Sequence, residues 1–209
     1  MMLSYTLVEP WREFADGHPP CEPAGLGPNQ RLLLLSDGSL TLHLETLFSA
    51  PVRVELKHNG PCTLDAALAR YLDVTPGAES LEREVWLTVE GRRLVYAHSV
   101  IPLRCTEPEL LEALRQGAEP IGRVLSARNT PVAKDRIEVG RVMCPKAARE
   151  LGLDGTAVFE AKRYRLVNGR PEGGWIIKAA LTEIFSPALM AQLDDLAAER
   201  AGADGALSR

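Results

Sequence analysis

The sequence lacks the short motifs that mark common nucleotide and catalytic sites. It contains no GxGxxG or GxxxxGK[ST] fingerprint and no GxSxG nucleophile elbow. Its four histidines stand at no recognisable metal-ligand spacing to another histidine, a cysteine or a carboxylate: His18, His43, His58 and His98. These absences argue against a nucleotide-binding, metal or serine-hydrolase site. They favour a site built from side chains without a recognisable motif.

The chain also lacks an excess of positive charge. Its 24 Lys and Arg residues against 28 Asp and Glu residues give a formal net charge of -4. Domains that bind phosphate backbones are usually basic, so we expect no nucleic-acid partner. A small anionic ligand would need a local cluster of Arg and Lys, because the net field of the protein repels it.

No long apolar run is present. The longest, such as Leu32 to Leu35, is far too short to cross a bilayer, and the start MMLSYTLVEPWREF does not resemble a signal peptide. The four cysteines lie far apart without CxxC spacing: Cys21, Cys62, Cys105 and Cys144. We therefore expect a cytoplasmic protein with free thiols and no membrane association.

Length and composition fit a single domain, since domains usually have ~100–200 residues. Hydrophobic residues make up 45% of the chain, which is enough for a core. Residues 1–30 include the Pro- and Gly-rich stretch HPPCEPAGLGPN and are predicted to form an irregular N-terminal arm. Residues 31–200 are predicted to form the domain, and residues 201–209 a frayed tail.

Apolar and charged residues alternate in several segments, which is typical of half-buried strands. The strands predicted in this way cover 52–57, 82–89, 92–101, 134–142, 156–167 and 175–185. Glu90-Gly91 predicts a hairpin between two of them, and Asn59-Gly60-Pro61 predicts a turn. Short connections favour antiparallel pairing, so the predicted class is α+β: one antiparallel sheet flanked by helices.

Helices are predicted between the strands. Ser39 is expected to cap a helix that runs to about Phe48. Thr106 and Glu109 have the spacing of a capping box for a helix to about Gln116. Further helical segments are predicted at 64–71, near 120–123, at 145–152 and after Ser186-Pro187.

Several segments, in order and at compatible spacing over roughly residues 31–190, resemble the chorismate lyase family. They are SDGSLTLHLE (Ser36–Glu45), EREVWL (Glu82–Leu87), YAHSVIP (Tyr96–Pro102), EPIGRVL (Glu119–Leu125), KDRIEVGR (Lys134–Arg141), AKRYRLVNGRP (Ala161–Pro171) and LTEIFSP (Leu181–Pro187). The AKRYRLVNG segment is closer to the branch that makes aromatic acids for specialised metabolites than to the ubiquinone branch.

The resemblance implies a single antiparallel sheet with a buried site under helical flaps. It also implies a lyase that converts chorismate to 4-hydroxybenzoate and pyruvate without cofactor or metal. Arg83 matches the arginine that grips the carboxylate of the ring, and Glu183 matches the active-site glutamate. Ile121 and Leu40 match apolar residues of the site and its flap.

The residues themselves allow two interpretations of this pair. Period-two alternation places Arg83 with Val85 and Leu87, so it points to the apolar side and can bind a carboxylate. Alternatively, it pairs with a neighbouring glutamate in solvent. Glu183 on an apolar face can exchange protons near neutral pH. Alternatively, it forms a structural ion pair with Arg163 or Arg165.

A second substrate carboxylate would need another cation. Arg163 is the residue we assign to ligand binding, with Arg165, Lys162 and Lys134 as the other candidates; Arg163 and Arg165 share one strand face, and Lys162 lies on the other. His98 occupies a position that is Arg in the ubiquinone-type enzymes. It is therefore a candidate ligand contact, although a satisfied, half-buried histidine is the simpler interpretation.

Other functions stay open at this point. The effector domains of GntR-type regulators have a similar fold and bind small molecules without turning them over. A non-catalytic binder of aromatic acids is therefore the main alternative, and an inactive relative is the third. Residues 1–30 are too short and too rich in proline for the winged helix-turn-helix of a regulator. The sequence does not determine the oligomeric state.

Overall fold

The structure is a computed structural model that describes residues 3–13 and 25–193. Its strands are β1 (Thr6–Glu13), β2 (Arg53–Thr63), β3 (Glu79–Val89), β4 (Arg92–Pro102), β5 (Ala133–Met143), β6 (Val158–Gly169) and β7 (Trp175–Phe185). Its helices are α1 (Pro28–Leu35), α2 (Leu40–Phe48), α3 (Ala66–Tyr71), α4 (Pro108–Gln116), α5 (Ile121–Ala127) and α6 (Pro145–Glu150), with a short 3-10 turn at Leu103–Cys105. Residues 187–193 are also helical.

The seven strands form one sheet in the order β1-β5-β6-β7-β4-β3-β2, and all neighbours are antiparallel. This confirms the predicted α+β class. In the β3–β4 hairpin, Glu90 and Gly91 both have positive φ, as a tight two-residue turn with the twist of the strands requires. The central strands β3, β4 and β7 are buried almost throughout, so both faces of the sheet centre are covered.

The two faces of the sheet differ in what covers them. We call the side to which Val85 and Leu181 point the front face; helices α1, α2, α4, α5 and the segment 187–193 pack on it in two apolar clusters. The back face, to which Trp86 and Val100 point, carries α3 and α6. The alternation of side chains along β3 supplies both cores.

Three predicted elements differ from the structure. Residues Thr6–Glu13 of the predicted irregular arm form edge strand β1, which pairs with β5. The predicted turn at Asn59-Gly60-Pro61 is wrong, because β2 continues to Thr63; an edge strand tolerates the missing N–H of proline. The predicted capping box is also wrong, since Thr106 donates to the carbonyl of Pro102 and Glu107 is the N-cap.

Other predicted boundaries are close to the structure. The Oγ of Ser39 accepts from the N–H of Leu42, and that of Ser186 accepts from the N–H of Leu189, so both predicted caps are confirmed. The tail 201–209 lies outside the described residues, as does Cys21. The three described cysteines are free thiols. Within the described ranges, no helix is long and apolar enough to cross a membrane.

Candidate functional site

A cavity of about 320 Å³ lies on the front face, at the junction of its two apolar clusters. Strands β3, β4, β7 and β6 form its floor, and the loop 37–39 with the start of α2 and helix α5 form its roof. Arg123 of α5 is ion-paired with Glu45 of α2, which ties the two roof helices together. The cavity is therefore enclosed between a rigid sheet and two short helices.

Five of the six residues predicted for the site from the sequence line this cavity, His98 among them. Arg83 and Glu183 come from the sheet floor, and Leu40 and Ile121 from the roof helices. Arg83 pairs in register with Ser99 on β4, and Glu183 pairs with Ala97 on the same strand. Because β4 lies between β3 and β7, the two charged side chains project from strands about 10 Å apart, as two strand spacings imply.

Arg83 is only 2% exposed, which rules out the interpretation as a solvent ion pair. Its Nη2 donates to the carbonyls of Gly117 at 2.9 Å and Glu119 at 2.7 Å. Its Nε is buried and has no hydrogen-bond partner among the described residues. Burial lowers the pKa of Arg83 to about 10, so the guanidinium stays charged at neutral pH and retains donors for an anion.

Glu183 is 4% exposed, and its two carboxylate oxygens differ. Oε1 accepts a hydrogen bond of 2.7 Å from the hydroxyl of Tyr164, whereas Oε2 is buried without a partner in the described part of the chain. Burial and the neighbouring Glu183 raise the pKa of Tyr164 well above its ordinary value, so the phenol stays protonated. The interpretation of Glu183 as an ion-pair partner of Arg163 or Arg165 is therefore wrong.

Two lysines lie on the far side of Glu183 from Arg83. Lys162 of β6 pairs in register with Glu183, and Lys134 of β5 lies 4.5 Å from the centre of the Tyr164 ring. Burial lowers the pKa of Lys162 to about 8, an effect opposed by Glu183 and reinforced by Lys134. Glu183 thus has cations on both sides of it along the sheet; Arg83 and Lys134 line the cavity, and Lys162 lies beside it.

His98 and Arg163, both predicted as ligand contacts, point their side chains to the back face. His98 borders the cavity, but its Nε2 lies 2.9 Å from Oε1 of Glu82 on the other side of the sheet. Arg163 is ion-paired with Glu138 and packs on the rings of Trp11 and Tyr71. The side-chain period of two explains both placements, because Arg163 alternates with Lys162 and His98 with Ala97.

The back face holds the one group of side chains in residues 3–13 and 25–193 with metal-ligand geometry. Ligand atoms of Glu82, Glu84 and His98 lie within 4.8 Å of one another. They already bond to protein groups: Glu82 to His98, and Glu84 to Tyr96 and Lys146. This group is separated from the Arg83 pocket by the sheet itself. It was missed in the sequence because its members come from adjacent strands.

A larger cavity of about 750 Å³ also lies on the back face, beside α3. Two of its arginines already have partners, since Arg163 pairs with Glu138 and Arg136 with Asp73. The front cavity is smaller, but its lining residues Arg83 and Glu183 carry two of the three buried side-chain polar atoms that have no hydrogen-bond partner among the described residues, Nε of Arg83 and Oε2 of Glu183. Unpaired buried polar atoms are costly, so they make the front cavity the candidate ligand site.

Sequence reasoning did not assign Tyr164 to the site and left Lys134 and Lys162 among four candidates. The alternation over 161–167 separates Lys162 and Tyr164 from Arg163 and Arg165. Which pair meets the ligand depends on the register of β6 against β7, where Lys162 lies opposite Glu183. The sequence pattern does not show this register, so it could not identify Lys162 and Tyr164 as the residues on the side of Glu183.

A family model and several known proteins match most of this chain. The model of the family described as "Chorismate pyruvate-lyase Rv2949c-like" matches residues 34–193. A "Probable chorismate pyruvate-lyase" of Halorhodospira halophila is 34% identical over 79% of this chain and 85% of that protein. A "Probable chorismate pyruvate-lyase 1" of Pseudomonas entomophila is 35% identical over 80% of this chain and 94% of that protein.

Solved structures share the fold at lower identity. The chain superposes on PhnF from Mycobacterium smegmatis with a TM-score of 0.57, at 20% identity, over 75% of this chain and 67% of that one. The separate effector domain of PhnF gives a TM-score of 0.55 at 19% identity, over 72% of this chain and 90% of that one. At these identities the likeness shows the architecture of the sheet and its helices alone.

Proposed function

The chain belongs to the Rv2949c-like chorismate pyruvate-lyase family, and from this premise we propose that it eliminates pyruvate from chorismate to give 4-hydroxybenzoate without a cofactor. The observation that carries the proposal is that two side chains lining one pocket each have a buried polar atom without a hydrogen-bond partner among the described residues. In the part of the chain that the structure describes, Nε of Arg83 has no hydrogen-bond acceptor and Oε2 of Glu183 has no donor. An anionic substrate with a removable proton supplies an acceptor for Arg83 and a proton for Glu183.

Chorismate suits such a pocket because it is a dianion that needs little chemical help. A carboxylate sits on its cyclohexadiene ring, and a second one on the enolpyruvyl ether. Loss of the ether as pyruvate makes the ring aromatic, which drives the reaction. The protein therefore has to hold and orient the substrate and move one proton, and positioning alone can lower a barrier by roughly 7–11 kcal/mol.

Arg83 is proposed to bind the ring carboxylate. The planar guanidinium offers two parallel N–H donors to a carboxylate and keeps its charge when buried. Its Nη2 is held by the carbonyls of Gly117 and Glu119, so the orientation of the fork is set before the substrate binds. Pre-set donors of this kind favour one orientation of the ring over the pocket floor.

Glu183 is proposed to move the proton. Its free Oε2 accepts the proton from the ring carbon that carries the hydroxyl, the adjacent C–O bond to the enolpyruvyl group breaks, and the electron pair of the C–H bond joins the aromatic ring. Glu183 then returns the proton to the methylene carbon of the enolpyruvate, which becomes pyruvate. The atoms balance without water or an added reactant, and a carboxylate is a suitable acid and base for such a transfer.

The roof is proposed to close over the ring. Leu40 and Ile121 are each 7% exposed and place apolar surface above the charged floor. Water is kept from the reacting atoms, and the hydrogen bonds of Arg83 and Glu183 act in an environment of low polarity. Release of the product then requires the roof helices to move.

The direct test is to incubate the purified protein with chorismate after treatment with a chelator, and to measure the aromatic product and pyruvate together by chromatography and a coupled assay. Equimolar 4-hydroxybenzoate and pyruvate are expected, with the rate abolished in Glu183→Gln. A different aromatic isomer would contradict the proposed product. Thermal stabilisation by 4-hydroxybenzoate without any turnover would instead support the non-catalytic binding module.

The cellular setting belongs to the same proposal. We propose a cytoplasmic enzyme that acts on a small molecule, binds neither nucleic acid nor membrane, and supplies hydroxybenzoate to specialised metabolism. The support is the net charge of -4 and the closeness of the AKRYRLVNG segment to that branch of the family. Cell fractionation with the activity assay tests the location.

A further inference from the structure

Two lysines to which the sequence assigned no definite role lie at the front cavity: Lys134 lines it, and Lys162 lies beside it on β6, opposite Glu183. Lys162 is 2% exposed and Lys134 is half-buried, yet in the described ranges no carboxylate lies within 4.0 Å of either ammonium group. The exposed Asp37 and the buried Glu183 act on Lys162 only at longer range. A buried ammonium group without an adjacent anion is unfavourable, so an anion bound here would stabilise these charges.

The lysines are nevertheless held in place. Nζ of Lys162 donates to the carbonyl of Ser36, and Nζ of Lys134 donates to the carbonyl of Gly38. Each ammonium group has three N–H donors, so these single bonds leave donors for a ligand. The two bonds tie both ammonium groups to the segment 36–38, which leads into the roof of the pocket.

The neighbourhood shows the electrostatic effect of the pair. His43 of helix α2 lies above the lysines, and burial together with Lys134 and Lys162 lowers its pKa. A site that disfavours the protonated form of a histidine carries a local positive potential. An anion bound there would be stabilised by the same field.

The lysines and Arg83 lie on opposite sides of Glu183, so the positive potential is present at both ends of the site. Along the sheet the order is Arg83 on β3, Glu183 on β7 and Lys162 on β6, with Lys134 on β5 beyond. Three strand spacings of about 4.8 Å separate β3 from β6. The proton-transferring carboxylate therefore has one cation on one side of it along the sheet and two cations on the other.

We propose that Lys134 and Lys162 bind the carboxylate of the enolpyruvyl group and make the pocket selective for dicarboxylates over monocarboxylates. This inference rests on the proposed function. The substrate would occupy both cationic ends, whereas the aromatic product carries a single carboxylate and engages Arg83 alone. Elimination thus leaves the aromatic acid with one carboxylate, because the enolpyruvyl carboxylate departs with pyruvate.

The proposal separates substrate binding from product binding, which gives it a specific test. In Lys162→Gln and Lys134→Gln, we expect KM for chorismate to rise by about 10- to 100-fold, the range of a lost hydrogen bond between charged groups. The inhibition constant of 4-hydroxybenzoate should change by less than about threefold. Lys162→Arg, which keeps the charge, should restore part of the substrate affinity.

Lys178→Gln is the matched control. Lys178 is a buried lysine on the same strand as Glu183, but it points to the back face and packs on Trp175, 4.1 Å from its ring centre. Its removal should leave KM unchanged. Circular dichroism checks the fold of each variant, and Lys134→Gln provides the test if Lys162→Gln does not fold.

The outcomes distinguish this inference from the proposed function. If the wild type turns over chorismate but the lysine variants keep the wild-type KM, or weaken product as much as substrate, the lysine assignment is overturned and the lyase stands. If the wild type shows no turnover, the lyase fails, and thermal shifts with chorismate against 4-hydroxybenzoate then test the lysines directly. Loss of the chorismate shift alone in the variants would support the assignment, and equal shifts would overturn it.

Discussion

The hydroxyl of Tyr164 donates to Oε1 of Glu183 across 2.7 Å, and this single bond makes the two oxygens of the carboxylate unequal. The occupied oxygen fixes the plane of the carboxylate, because Tyr164 is itself buried at 3% exposure. The other oxygen, Oε2, is buried and has no hydrogen-bond partner within residues 3–13 and 25–193. In the proposed proton transfer, Tyr164 would therefore be a positioning residue.

The first prediction follows from this relationship. Glu183→Gln removes the proton acceptor and should lower kcat by about 100-fold or more, the usual range for a general acid or base. Tyr164→Phe keeps the acceptor and loses only its orientation, so a smaller fall in kcat with little change in KM is expected. Steady-state kinetics measures both. Equal losses in the two variants would contradict the division of roles.

Arg83 should matter for substrate and product alike. Arg83→Lys keeps a charge but cannot reproduce the planar fork, so kcat/KM should fall by about 10- to 100-fold and the inhibition constant of 4-hydroxybenzoate should rise in parallel. Arg165→Lys, a change at a buried back-face arginine that is paired with Asp135, serves as the control. A loss confined to the substrate would place the ring carboxylate elsewhere.

Lys162 should link activity and stability to pH. Its pKa of about 8 predicts that kcat/KM falls as pH rises through 8, because the ammonium group loses its charge. In the unfolded chain a lysine titrates near 10.5, so between these values the unfolded state binds more protons, and stability rises with pH in this window.

Below pH 8 the buried charge costs on the order of 3 kcal/mol, before the hydrogen bond to Ser36 is counted. Lys162→Met should therefore be more stable than the wild type at pH 7 and lose this advantage by about pH 10.5. Denaturant unfolding at a series of pH values measures the difference. A variant less stable than the wild type at pH 7 would mean that Lys162 has a structural role.

The back-face residues should affect stability instead of catalysis. His98→Leu leaves the carboxylate of Glu82 buried without its 2.9 Å partner, which should cost roughly 1–3 kcal/mol of unfolding free energy. The hydrogen bond to His98 lowers the pKa of Glu82, so the stabilisation is present above the unfolded value near 4.5 and is lost as pH falls. As pH is lowered, the free energy of unfolding of His98→Leu should therefore fall less than that of the wild type.

Arg163→Gln should behave in the same way, because Arg163 is bonded to Glu138 on the back face. KM for chorismate and the inhibition constant of 4-hydroxybenzoate should stay within about twofold of the wild type. Kinetics beside denaturation curves separates the two effects. A large rise in KM in either back-face variant would show that the ligand reaches these side chains.

Much of the fold was predictable because local patterns and global packing agree. The alternation in 82–89 and 92–101, with Glu90-Gly91 between them, defines the β3–β4 hairpin, and the periodic leucines of α2 define a roof helix. At the edges of the sheet, strand β1 and the second half of β2 were not predicted in this way, whereas 52–57 was predicted as a strand. Strand β1 contains Pro10 and β2 contains Pro61, residues that argue against a strand unless it lies at an edge.

The amino-acid sequence by itself indicated the class of the fold, because side-chain alternation along a strand is a local property, and the family, because several segments occur in its order. It left two interpretations open for Arg83 and Glu183. Only the tertiary structure decided which cations join them. The order of the strands and the register of Lys162 against Glu183 depend on contacts between segments far apart in the chain. A shift of that register by one residue would have turned Arg163 to the pocket and Lys162 to the back face.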